Sequence, residues 1–229
     1  MIAKKIAARA SAAALIIALP LFLALTSLLP LISSAFLRTQ YARPDVPPSS
    51  MFSPEERLAA AAAAAHYLLS TEGIDYLANL TDANEMPLFN ERELTHMVDV
   101  KVLLGKAIMV DIILGLVVAA SLGILLGLED TRHRTPYYLF TAALVAPALA
   151  AAALIVVPLQ FRWFFVEFHH VFFEGESWLF PRSDTLIQLF PERFWFDALQ
   201  TWLLLVMAAS VALAIGAYIW MKRRGAGAS

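Results

Sequence analysis

The chain has 229 residues, of which 60% are hydrophobic and 16% charged, and its formal net charge at neutral pH is −2. This composition is too apolar for an ordinary water-soluble domain, and no basic aromatic patch indicates nucleic-acid binding. The chain contains no cysteine, which excludes disulfides, thiolate metal sites and a cysteine nucleophile.

Four segments are long and apolar enough to cross a bilayer, because a spanning helix needs roughly 20 apolar residues. Their approximate bounds are 10–37, 102–128, 137–159 and 201–221. Basic residues precede the first segment, as in a signal peptide, but its apolar run is longer than a signal sequence uses. We therefore interpret it as a retained anchor. Residues 1–229 are predicted to form a single, all-α integral membrane domain with four transmembrane helices.

Lysine and arginine in the short flanking regions predict the orientation, because cytoplasmic loops are enriched in these residues. They occur before the first span, between the second and third spans, and after the fourth. In a four-helix arrangement these regions lie on one side, so we expect both termini in the cytoplasm. The longer regions 38–101 and 160–200 are then extracytoplasmic.

Several patterns in the external regions are typical of helix starts. Ser53 is followed by proline and two acids, as at an N-cap with a favourable first turn. Asn90 and Glu93 have the spacing of a capping box, and the helix opened there is expected to continue into the second span. Asp184 is a candidate cap of a short helix, and Pro191 marks another start. We therefore expect a mostly helical extracytoplasmic cap.

His96 lies on the predicted helix that leads into the second span. Glu93 and Asp99 are three residues away on either side, which makes them its neighbours on a helix surface. A nearby acid orients an imidazole and raises its basicity, which suits a general base. The alternative for this motif is an ordinary solvated face of charges.

Two adjacent histidines, His169 and His170, lie in a phenylalanine-rich run after the third span. Their side chains diverge by about 100° on a helix, so the two are not expected to do the same job. An aromatic belt at a membrane interface explains the phenylalanines, but it does not need a histidine pair. We therefore expect at least one of these histidines to be functional.

Asp111 lies well inside the second predicted span, where ionisable residues are rare. We expect it to make a structural polar contact with another span, through a backbone group or a hydroxyl.

Common metal, phosphate-binding and serine-hydrolase motifs are absent from the sequence. His96, His169 and an acid could nevertheless converge on zinc, so a metal-dependent membrane hydrolase is one alternative function. A non-enzymatic membrane adaptor that binds partner spans is another.

Three stretches resemble motifs of the DUF1461 membrane proteins, the lipoprotein intramolecular transacylase family. They are ELTHMVDV at 93–100, FHHVFF at 168–173 followed by Trp178, and DTLIQLFPE at 184–192. The resemblance covers essentially the whole four-span layout. It implies a multi-pass enzyme of the bacterial cytoplasmic membrane whose active site faces the extracytoplasmic side.

The resemblance also implies a reaction. An acyl chain moves from the sn-2 position of a diacylglyceryl-modified lipoprotein to the amine of that lipoprotein's N-terminal cysteine, giving the lyso-form. The implied partners are this lipoprotein and membrane lipid, with no cofactor, metal or nucleic acid. The two catalytic histidines of the family correspond to His96 and His169, and a shift of one residue would make His170 the second.

Ester aminolysis fits these residues independently of the resemblance, because the substrate supplies its own amine and no protein nucleophile is needed. The reaction requires a base and an acid, and two imidazoles can share these roles. Asp99 or Glu93 could orient His96. Arg162 or Arg182 could hold the developing oxyanion, or could equally anchor a span end at the lipid headgroups.

Overall fold

The computed structural model describes residues 2–226, and most of this range is helical. A 3₁₀ turn at Leu29–Ile32 follows the first helix, and within the described range the one isolated β-bridge pairs Thr81 with Pro87. The α-helices in chain order are α1 (Ile2–Thr26), α2 (Ser34–Tyr41), α3 (Pro54–Leu69), α4 (Asp75–Ala78), α5 (Glu91–Gly127), α6 (Glu129–Arg132), α7 (Thr135–Phe172), α8 (Thr185–Leu189) and α9 (Glu192–Ala226).

Four stretches of this structure are long and apolar enough to cross a membrane, which confirms the predicted all-α, four-span class. Their bounds are Ile2–Ile32, Glu91–Gly127, Thr135–Phe172 and Glu192–Arg224. The α-helix of the first stretch ends at Thr26, short of the predicted end at residue 37, and a 3₁₀ turn that contains Pro30 follows. Proline removes a backbone donor and clashes with the preceding turn, which accounts for a break here.

The chain divides into two compact units. The first comprises Met1–Leu28, Ala107–Val156 and Thr201–Ser229, as far as these are described. Its core joins Leu15 of α1, Leu125 of α5 and small residues of α7 and α9. The Asp111 carboxylate accepts hydrogen bonds from the Thr26 hydroxyl, at 3.1 and 3.0 Å. This is a contact with a hydroxyl on another apolar helix, the kind of partner that the sequence predicted for this residue.

Gly115 allows a close approach of α5 to α1. A Cβ atom here would lie 3.1 Å from Cε2 of Phe22, whereas one at Gly123 would have nothing within 4 Å. We expect Gly115→Leu to be less stable than Gly123→Leu by about 1–3 kcal/mol, because only the first variant overpacks its surroundings. The helix-propensity gain is common to both and cancels. Thermal unfolding in detergent measures the difference, and equal midpoints would contradict the expectation.

The second unit comprises Leu29–Lys106 and Val157–Gln200. Two predicted helix starts are confirmed in it. Ser53 and Glu56 form a complete capping box at the start of α3. Asn90 and Glu93 make the same reciprocal bonds, at 2.9 and 3.0 Å, where α5 begins. An apolar core of α2, α3, α8 and the start of α9 holds this unit together and includes Ala61 and Leu189, both fully buried.

Helix α7 is interrupted at Gln160, whose backbone angles are non-helical (φ −133°, ψ 26°). Pro158 lies just before this point, and a proline inside a helix removes one hydrogen bond of the ladder and favours a kink. The last part of α7, from Phe161 to Phe172, is therefore a helical segment of its own. It carries the aromatic run and both adjacent histidines.

Candidate active site

The second unit brings two of the predicted histidines together. The ring centroids of His96, on α5, and His169, on the last part of α7, are 6.3 Å apart, and the ring planes are 23° from parallel. The His96 residue is only 9% exposed, and His169 is half-buried. Two imidazoles from distant parts of the chain therefore form one site.

Aromatic side chains surround both rings. Phe173 contacts His96 at 4.8 Å and His169 at 5.4 Å between centroids, so it bridges the pair. Phe180 packs on His96 at 5.4 Å. Trp178 packs on His169 at 4.6 Å. Such apolar surroundings strengthen electrostatic interactions, because few mobile dipoles are present to screen them.

A backbone contact determines the tautomer of His169. Its Nδ1 lies 2.7 Å from the carbonyl oxygen of Phe165. A carbonyl oxygen can only accept, so Nδ1 must carry the hydrogen. In the neutral ring, Nε2 then has a free lone pair and can take up a proton. The Nδ1 atom of His96, by contrast, is buried and has no hydrogen-bond partner among residues 2–226.

His170 occupies a different position. It is exposed, and its ring meets Trp178 edge-on at 5.5 Å between centroids. The imidazole that lies nearly parallel to His96, with its centroid 6.3 Å away, is that of His169. The sequence left open which of the two adjacent histidines is the partner of His96, and the structure pairs His96 with His169.

The Glu93 carboxylate joins two helix starts. It is 1% exposed, and its Oε1 accepts a hydrogen bond from the backbone amide of Leu186 at 2.7 Å. Its Oε2 accepts from the amide of Asn90 at 2.9 Å. Both oxygens are thus engaged by backbone donors of α5 and α8. The predicted orienting acid for His96 is therefore a structural link here, whereas the other candidate, Asp99, is exposed.

Removing this link is expected to destabilise the second unit. Glu93→Ala leaves the buried amide of Leu186 without an acceptor, at a cost of about 1–3 kcal/mol, and removes the bond to the amide of Asn90, a residue that solvent can reach. Glu93→Gln retains one acceptor oxygen and should lose less. Glu91→Ala, at an exposed position in the same first turn, is the control. Thermal unfolding in detergent checks the order, and an Ala variant as stable as this control would contradict it.

The remaining predicted site residues lie elsewhere in the second unit. Arg162 is exposed, and its Nε lies 3.6 Å from a carboxylate oxygen of Glu192. Arg182 is also exposed, and its carbonyl oxygen accepts from Gln188. Asp184 precedes α8 but makes no side-chain capping bond, and its carboxylate instead accepts from the side-chain Nδ2 of Asn90 at 3.3 Å.

Sequence reasoning missed Arg92. Its guanidinium lies 5.3 Å from the centroid of Phe180, the ring that also packs on His96. It is also 4.0 Å from the Asp184 carboxylate. The spacing of four residues between Arg92 and His96 could have indicated that Arg92 lies near the site, because such residues share a helix face.

The described residues contain no group of three His, Asp or Glu side chains close enough to hold a metal ion. The side chains in ring contact with the two histidines are aromatic instead.

Fold and site together define a multi-pass, all-helical membrane protein that pairs two imidazoles among aromatic side chains. The family model described as "Lipoprotein intramolecular transacylase Lit" matches residues 13–195. The chain belongs to this family and is an acyltransferase of the membrane. The family resemblance seen in the sequence is thereby confirmed.

The chain is also similar to individual proteins. An uncharacterized protein of Aquifex aeolicus is 27% identical over 166 residues, which cover 72% of this chain and 73% of that protein. The transacylase Lit of Bacillus cereus has a similar structure, with a TM-score of 0.66 and 19% identity, covering 97% of this chain and 95% of that one. A variant of that enzyme with one histidine replaced by alanine gives a TM-score of 0.70 at 17% identity, covering 95% and 94% of the two chains. At these identities the structural match shows a common fold.

Proposed function

We propose that this enzyme transfers the sn-2 acyl chain of a diacylglyceryl lipoprotein to the α-amine of the same lipoprotein's N-terminal cysteine. The product is the lyso-form, with one acyl chain on the amine and one on the glyceryl group. His96 and His169 are the acid–base groups. The observation that carries the proposal is the near-parallel pairing of these two imidazoles, whose ring centroids are 6.3 Å apart, among aromatic side chains.

The proton balance of the reaction gives each histidine a task. The amine enters as an ammonium group with three protons, and the amide product retains one. Two protons therefore leave the nitrogen. One is delivered to the glyceryl oxygen as the C–O bond breaks, and the other passes to water. Two bases are needed, and one of them must return its proton as an acid.

His169 suits the task of the base that later returns its proton as an acid. Its Nδ1–H is held by the carbonyl oxygen of Phe165, which leaves Nε2 as the acceptor. We assign Nε2 to take the proton from the attacking amine and to return it to the leaving glyceryl oxygen. His96 accepts the first ammonium proton, which makes the amine nucleophilic. The substrate carries nucleophile and ester in one molecule, so proximity supplies much of the rate.

The surface beside the site suits an acyl chain. Phe164, Phe168 and Phe172 are spaced by four along α7 and are exposed. Neighbouring rings in this row are 6.4 and 4.8 Å apart, and Phe168 also meets His169. We place the site on the extracytoplasmic side of the bacterial cytoplasmic membrane. The support for this side is the distribution of Lys and Arg in the flanks of the spans.

A reporter lipoprotein tests the proposal in cells with and without this chain. Mass spectrometry of its N-terminal peptide should show an isomer with one acyl chain on the amine and one on the glyceryl group only when the chain is present. An unchanged diacylglyceryl peptide, with the chain confirmed in the membrane, would reject the proposal. Loss of an acyl chain as free fatty acid would indicate a hydrolase instead, and chelator sensitivity would then point to a metal.

A further inference from the structure

Trp178 has a buried hydrogen-bond donor that nothing in the described protein uses. The residue is 7% exposed, and its indole Nε1 has no hydrogen-bond partner among residues 2–226. The ring lies 4.6 Å from that of His169. Another tryptophan, Trp202, shows the usual arrangement, because its Nε1 donates to the carbonyl oxygen of Ala24 at 2.8 Å. A buried N–H without an acceptor is rare in native proteins and calls for an explanation.

The chemistry of the indole limits what that function can be. An indole N–H is a donor only and does not ionise, so it cannot act as a base or hold a metal. It can bind an oxygen that carries or acquires negative charge. In ester aminolysis that atom is the carbonyl oxygen of the acyl group, which becomes an oxyanion in the tetrahedral intermediate.

We propose that the Nε1–H of Trp178 donates a hydrogen bond to the carbonyl oxygen of the transferred acyl group. This assignment rests on the proposed function of the histidine pair. The amine nitrogen bonds to the carbonyl carbon, and the π electron pair moves to the oxygen that Trp178 holds. When that pair returns, the bond to the glyceryl oxygen breaks and the proton from His169 goes to this leaving oxygen. Trp178 itself exchanges no proton.

The sequence had suggested Arg162 or Arg182 for this role. Both side chains are exposed, and Arg162 lies beside Glu192. Trp178 lies against the ring of His169, which exchanges the proton with the reacting group. A fixed neutral dipole in apolar surroundings stabilises a transient negative charge without reorganisation.

Two replacements of Trp178 test the proposal on the purified, full-length enzyme with a synthetic diacylglyceryl lipopeptide. Trp178→Phe keeps an aromatic ring and removes the donor. Incorporation of 3-benzothienylalanine at position 178 replaces N–H by sulfur and retains the shape of the indole. Both are expected to lower turnover by about 10²–10³-fold, with unchanged unfolding midpoints. Trp163→Phe, at an exposed ring on α7, is the control and should retain full turnover.

The outcomes separate this assignment from the function on which it rests. Full turnover of the benzothienylalanine enzyme, together with an inactive His169→Ala variant, would overturn the role of Trp178 and leave the histidine mechanism standing. If Trp178→Phe loses activity but benzothienylalanine restores it, the indole acts through shape alone, and the proposal is again rejected. An active His169→Ala variant would instead refute the proposed function itself.

Discussion

Replacing His169 by alanine is expected to lower the rate of acyl transfer by about 10²–10⁴-fold, the range for removal of a general acid–base group. In the proposed mechanism, Nε2 of this ring takes the amine proton and returns it to the glyceryl oxygen. His170→Ala should retain most of the activity, because that residue is exposed and the imidazole paired with His96 is that of His169. The adjacent pair thus provides its own matched comparison.

Initial rates on a diacylglyceryl lipopeptide in detergent micelles measure both variants, at equal amounts of folded enzyme. The assignment would be contradicted by the reverse order, with His170→Ala inactive and His169→Ala active. Equal, partial losses in both variants would indicate that the pair serves the aromatic packing rather than the chemistry.

His96→Ala is expected to cost a similar factor, about 10²–10⁴-fold, because the substrate amine then remains an ammonium ion. Thr95→Ala, at an exposed position beside it on α5, should be close to wild type. A double variant that lacks both His96 and His169 is expected to be nearly as active as the less active of the two single variants. Residues that act as a unit in catalysis give losses of activity that do not add.

The His96 ring packs against Phe173 and Phe180, so a loss of activity must be separated from a loss of stability. His96→Gln fills much of the same space and should be as inactive as the alanine variant while unfolding closer to wild type. Full activity in His96→Gln would show that the imidazole is dispensable, and the two-base scheme would fail.

Features with local causes were predictable from the sequence. Span length follows from bilayer thickness, so four apolar runs sufficed for the fold class. The helix starts at Ser53 and Asn90 follow from local residue types, and the structure has a capping box at each. The pairing of His96 with a histidine after the third span came from the family resemblance. Nothing in the spacing of these residues brings them together.

Features that depend on distant parts of the chain were not predictable. Glu93 is spaced to reach His96, but its carboxylate binds the amide of Leu186, which is buried and requires an acceptor. Arg92 meets Phe180 because a loop far along the chain returns to α5. The unpaired Nε1 of Trp178 is likewise visible only once the packing around it is known.

The central claim concerns which acyl chain moves and to which amine. It is tested most directly with a mixture of two synthetic lipopeptides that differ in peptide mass, each carrying distinct, isotopically marked chains at sn-1 and sn-2. After incubation with the purified enzyme, tandem mass spectrometry should place on each amine the sn-2 chain of that same peptide, with no exchange between peptides. Transfer of sn-1 chains, chains crossing between the two peptides, or release of free fatty acid would contradict the account.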